Sequence, residues 1–224
     1  MYPFFTLFII FGLFTFIYMR RSSNDFNKSN EEFLAREREA NSIRKQPLIG
    51  LEYIKPDLSS LPTIETSDEY ILERLNTLEV LSGEDTKIVN LSSYTNTDLK
   101  LKYGVANLTI LTEYDQNFTA LCRCLYELGK RLYEADDKNA AKAFLELGIS
   151  CGTDLKSHYT LLADIYEENM QYKEIVELIH HAENINSALK GSLLRDLNER
   201  LKDTNYSADE PKKPLEDIKS ITEI

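Results

Sequence analysis

The side chains able to do chemistry in this chain are few and badly spaced for it. Three cysteines (Cys122, Cys124, Cys151), the adjacent pair His180-His181 and the carboxylates Asp164 and Glu168 are the groups to weigh for metal binding, nucleophilic attack or proton transfer. Cys122 and Cys124 lie two apart on an expected helix, so they point in different directions and suit a single metal poorly. An odd cysteine count without a Cys-x-x-Cys pair fits a reducing compartment better than a disulfide framework. His180 and His181 diverge by about 100° around a helix, and their neighbours add no ligands at fitting spacing. Asp164 and Glu168 are spaced i,i+4, a pattern common on acidic helices that does not by itself make a general acid and base. The eight glycines are scattered rather than gathered into a phosphate loop, and neither Gly-x-Ser-x-Gly nor His-Glu-x-x-His occurs. The expectation is a chain without an enzyme's catalytic set, a metal or a cofactor.

Charge excludes a further class of partner. Residues 1–50 carry +2 and the remainder −13, giving the net −11 of the 224-residue chain. Nucleic acid requires a basic face, so nonspecific RNA or DNA binding is not expected. A basic collar near the start, ahead of an acidic domain, would be drawn to anionic headgroups while the domain is held off them.

The elements that must position any site begin with an uncharged run, Tyr2 to Met19, ended by Arg20-Arg21. As a helix it would span about 27 Å, close to one hydrocarbon core. No Lys or Arg precedes it, and Arg20-Arg21-Ser22-Ser23-Asn24 offers no small-residue cleavage step, so residues 2–19 are expected to be an uncleaved transmembrane anchor. Arg20, Arg21, Lys28, Arg36 and Arg38 all follow the run. The positive-inside bias then places the C-terminal domain in the cytoplasm, with Tyr2 and Tyr18 at the two interfaces. Five Asn-x-Ser/Thr triplets contradict this placement only superficially, since a chain rich in Asn, Ser and Thr produces them by chance.

Residues 20–46 read as a charged juxtamembrane stalk helix, opened by the capping box Ser29 to Glu32 and apolar only at Phe33, Leu34, Ala40 and Ile43. Three prolines between Pro47 and Pro62 break the helix into an extended strap whose apolar residues should lie on the domain. A second capping box, Thr66 to Glu69, begins a helix carrying Ile71, Leu75 and Leu78 and closed by Gly83. Residues 47–111 thus form a strap plus short helices packed on the core, with residues 88–91 either a short strand or a buried loop. From Thr112, Tyr114, Phe118, Leu121, Leu125, Leu128 and Leu132 recur at steps of three and four, an apolar stripe on a long helix. Residues 112–203 hold the helical core and 204–224 a polar tail expected to be mobile.

Within this core the sequence repeats about every 34 residues. One copy reads Leu125, Leu128-Gly129, Leu132, Ala141 and Gly148; the other reads Tyr159, Leu162-Ala163, Tyr166, Ile175 and Ala182. The pattern resembles the tetratricopeptide repeat, whose small residues let two helices approach closely. It departs from that family where Leu125 and Tyr159 replace its Trp, where Thr153 and Ser187 replace its closing Pro, and where Ile175 replaces its Ala. The resemblance implies antiparallel helical hairpins, and with the single N-terminal membrane helix read from residues 2–19 the expected fold is all-α. It also implies a concave binding face presenting Arg123, Tyr126, Lys130 and Tyr133 beside Ser157, Thr160, Asp164, Glu167 and Glu168. Basic beside acidic, that face implies a ligand of mixed charge, and it lacks the Lys/Asn set with which some members clamp a C-terminal carboxylate. The expected function is a membrane-tethered adaptor or scaffold binding a protein or peptide on its cytoplasmic side. The alternative is a structural subunit of a membrane protein complex.

Overall fold

The computed structural model describes residues 11, 14–15, 18–19, 28, 30–202, 204 and 206. Most of the expected anchor 2–19, the first part of the stalk and nearly all of the tail lie outside them. Among the described residues no helix is long and apolar enough to cross a membrane. The described residues at 11, 14–15 and 18–19 are helical, with Phe11, Phe14, Tyr18 and Met19 between 66% and 71% exposed.

The fold is all-α among the described residues. A helix over 30–42 (α1) is followed by α2 (Glu69–Ser82), α3 (Asn96–Tyr103), α4 (Leu108–Glu134), α5 (Lys138–Ser150), α6 (Lys156–Glu168), α7 (Tyr172–Ala182) and α8 (Lys190–Glu199). The chain divides into two units, residues 1–50 with 94–111 and residues 51–93 with 112–224.

In the first unit α1 does not stand clear as a stalk. Ala40 is fully buried, Arg36 pairs with Asp98 at 2.7 Å, and Glu37 takes Lys100 at 2.8 Å and the Thr97 hydroxyl. The charged face that suggested a free helix is the face that grips α3. Helix α3 starts on a capping box, Thr95 with Asp98, and stops at Gly104, whose φ of 81° favours glycine. A side chain at Gly104 would also strike the Arg44 backbone. Asn107, 2% exposed, donates to the carbonyls of Gln46 and Tyr103, each at 2.7 Å, which satisfies a buried amide.

The second unit holds the main core. Its strap is extended and makes one isolated bridge, Tyr53 to Val89, with Ile54 N–H donating to Ile88 at 2.9 Å. Residues 88–91 are therefore a buried segment rather than a strand of a sheet. Val89 N–H continues to the Tyr114 carbonyl at 3.2 Å and Leu91 N–H to Asp115 at 3.0 Å. Helix α2 is capped by Asp68, two residues beyond the Thr66 expected, because the Asp68 carboxylate accepts from both Tyr70 and Ile71 N–H. Along α4, Phe118, Leu121, Leu125, Leu128 and Leu132 are each 5% exposed or less. Burying such a side chain contributes about 1.5–3 kcal/mol, so this stripe anchors the unit.

The small residues sit where helices cross. A Cβ at Gly129 would meet the Leu145 side chain at 2.7 Å, and one at Gly148 would collide with the His158 ring. Ala141, Ala163 and Ala182 are fully buried against the same core. Helix α8 closes the end against α6 and α7, seating Leu193, Leu197 and Leu201.

Candidate functional site

The second unit carries a cleft of about 690 Å³. Tyr70 of α2 forms one wall. Arg123, Tyr126, Glu127, Lys130, Arg131 and Glu134 of α4 form the base, and Leu155 with Ser157 forms the far side. The i, i+3, i+7 spacing of Arg123, Tyr126 and Lys130 puts all three on one stripe of α4. Asp68, the α2 cap, holds Arg131 at 2.8 Å and so pins α2 beside α4. The Arg131 guanidinium in turn keeps the Asp68 carboxyl below its ordinary range.

Charge inside the cleft is mostly committed. Glu127 faces Arg74 at 3.4 Å, while Glu134 lies 3.8 Å from Lys130 and 3.7 Å from Arg131. Arg123 is exposed and makes neither an ion pair nor a hydrogen bond with any described residue. Tyr126 is fixed by the ring of His158, 5.5 Å away between centroids. His158 is fully buried, neither ring nitrogen has a hydrogen-bond partner among the described residues, and burial pushes it down to about 4. At neutral pH it is an uncharged ring that packs against Gly148 and Tyr126.

The residues expected to bind thus separate into three groups. Arg123, Tyr126 and Lys130 share the cleft, and Ser157 lines it with them. Tyr133 and Glu168 meet each other instead, hydroxyl to carboxylate at 2.6 Å, with Lys138 joining at 2.9 Å. That hydrogen bond raises the Tyr133 hydroxyl and lowers the Glu168 carboxyl. Asp164 and Glu167 receive Arg200, the C-cap of α8, at 2.6 and 2.8 Å. The acidic half of the expected face is therefore engaged by the chain's own guanidinium.

Tyr70 and Leu155 were missed because they enter the cleft through tertiary placement of α2 and of the α5–α6 turn, whereas Glu127, Arg131 and Glu134 lie on α4 itself, beside the expected stripe. The only local signal was an aromatic residue, Tyr70, off the apolar face of α2. The thiols are poorly placed for reaction. Burial pushes Cys122 up to about 12 and Cys124 up to about 11, and Cys124 Sγ contacts the Arg74 carbonyl at 3.1 Å. Among the described residues no group of three His, Cys, Asp or Glu side chains could hold a metal ion. His180 is half-buried, its Nδ1 3.6 Å from Glu183, and His181 is exposed.

No protein-family model, no curated protein and no solved structure matches this chain.

Proposed function

We propose that this chain is a membrane-tethered adaptor whose tetratricopeptide-like helical domain docks a partner protein or peptide in the α2–α4 cleft on the cytoplasmic side. The observation that carries this reading is an open, aromatic-walled cleft containing an uncommitted cation, Arg123, on the stripe with Tyr126 and Lys130. Clefts with apolar walls and a few placed polar groups are the usual form of recognition sites. The uncovered apolar side chains at Phe11, Phe14 and Met19, within an uncharged run, favour an anchor in lipid. Tethering raises the local concentration of a membrane-associated partner without any new contact. Recovery of partners from detergent-solubilised membranes tests the proposal, comparing the full chain with its Tyr126→Ala/Lys130→Glu variant. Loss of a specific partner in the variant is expected, and identical recovery removes the cleft from the account.

A structural subunit of a membrane complex is the second reading. Leu72 and Val80, eight residues apart on one side of α2, are 47% and 64% exposed. A permanent neighbour covering them would co-purify in fixed stoichiometry and be lost on Leu72→Glu/Val80→Glu, with the Tyr126→Ala/Lys130→Glu variant unaffected.

A further inference from the structure

The structure changes the kind of ligand the face would accept. Basic and acidic positions side by side imply a ligand of mixed charge, but Asp164 and Glu167 are already satisfied by Arg200, which is seated with Leu197 and Leu201 at 0% and 4% exposure. What remains open is the α4 stripe. Three cations and two carboxylates line the cleft, and both carboxylates have cationic partners. The excess is Arg123.

From this we propose, building on the docking role above, that the cleft takes an acidic, extended peptide segment. Its side-chain carboxylates, four residues apart on one face of the extended chain, would pair with Arg123 and Lys130 while the apolar residue midway between them rests on Tyr126. The spacing follows from geometry. Seven residues of α-helix rise about 10.5 Å, four residues of extended chain cover about 13 Å with alternate side chains on one face, and the long Arg and Lys side chains take up the difference. Arg offers a planar fork that donates two parallel hydrogen bonds to a carboxylate. Lys130 can turn from Glu134 to a ligand at little cost, since both side chains are about half exposed and Arg131 also serves Glu134. Tyr126, held against His158, is an aromatic surface already in place, so little ordering is required on binding. At physiological salt charges beyond about 8 Å are screened, so the lining decides the ligand's sign, not the net −11 of the chain. A basic segment would instead meet Arg123 with nothing to offset it. Recognition through side-chain carboxylates also predicts that a free C-terminus is not needed.

The test is selection of random twelve-residue peptides, displayed with no free C-terminus, on the full chain immobilised in neutral detergent. Enriched peptides should carry Asp or Glu four apart with an apolar residue midway between them. Arg123→Glu should lower their enrichment at least ten-fold, Arg123→Gln less, and Lys173→Glu, at an exposed α7 cation outside the cleft with no ion pair among the described residues, not at all. Enrichment of basic peptides, or acidic enrichment that survives Arg123→Glu, overturns this ligand class while leaving docking itself intact. Failure to enrich any peptide over bare detergent-coated resin overturns both the ligand class and peptide docking in this cleft.

Discussion

Asp136 and Met170, 34 positions apart, share one backbone shape: their φ values of 66° and 56° are the only positive ones for non-glycine residues among those described. Each ends a helix in the same way. Asp136 N–H returns to Tyr133 and Met170 N–H to Glu167, both at 3.0 Å, and the next amides, Asp137 and Gln171, return to Leu132 and Tyr166. The α4–α5 and α6–α7 turns are thus one turn used twice, at the period of the sequence repeat. The equivalence extends to Gly129 and Ala163, both buried at helix crossings.

A left-handed backbone strains a side chain by about 1–2 kcal/mol, part of which glycine returns through its looser unfolded state. Met170 is 79% exposed and contributes little packing. Met170→Gly should therefore stabilise the protein by about 0.5–1 kcal/mol in urea unfolding, and Met170→Val should destabilise it. A Met170→Gly variant no more stable than the parent would mean the turn is not strained.

Two helical glycines should respond in opposite directions. Gly129→Ala places a Cβ 2.7 Å from Leu145, and overpacking of about 1–3 kcal/mol exceeds the gain in helix propensity of about 1 kcal/mol. Gly191 meets nothing within 4 Å, so Gly191→Ala should keep that gain. Denaturant midpoints check both, and a shift of the same sign for the two would contradict the close α4–α5 approach.

How much of this was legible in the sequence depends on the range of each contact. The α4 stripe from Phe118 to Leu132 was readable because a helix repeats its buried face every three or four residues. The helix starts at Leu108 rather than near Thr112, because Gly104 and a 3-10 turn over Val105–Asn107 lead straight into it. Arg200 closing on Asp164 and Glu167, and Asp68 on Arg131, join residues more than thirty apart, and charge identity alone says nothing about such partners. For the same reason Arg36 and Glu37 looked like the solvated face of a stalk when they bind α3. The cleft was half readable: its base follows α4, while Tyr70 arrives only through the packing of α2.

His158 makes stability fall with acid. Its folded value, about 4, lies below the ordinary 6.5, so between those values the unfolded chain binds more protons and stability rises with pH. This contribution is intact above pH 6.5 and is lost as pH drops toward 4, amounting to about 3 kcal/mol below that. Unfolding free energies at pH 7 and pH 4.5, compared with those of His158→Phe, isolate it. An identical pH slope in the variant would contradict a neutral, buried ring.

The thiols should be silent in the native state. With Cys122 near 12 and Cys124 near 11, almost no thiolate of either exists at pH 8, and burial raises Cys151 in the same direction. An aromatic disulfide reagent should label all three cysteines only at the rate of unfolding. Fast labelling of any one in native buffer would show that its helix opens locally.

The Arg200 clamp is expected to matter for folding rather than for binding. Arg200→Ala should cost about 1 kcal/mol, the partly exposed carboxylates limiting the loss. It should also loosen α8, seen as faster amide exchange at Leu193 and Leu197. If Asp164→Ala instead abolished partner recovery without changing exchange in α8, the acidic half would belong to the binding face after all.

Site-specific photocrosslinking in living cells, with a photoreactive amino acid at Ser157 in the cleft or, outside the cleft, at Glu177 of α7, tests the docking role most directly. A discrete adduct in the membrane fraction from position 157, absent at 177 and removed by Arg123→Glu, is the predicted result. Adducts at 177 and none at 157 would contradict it.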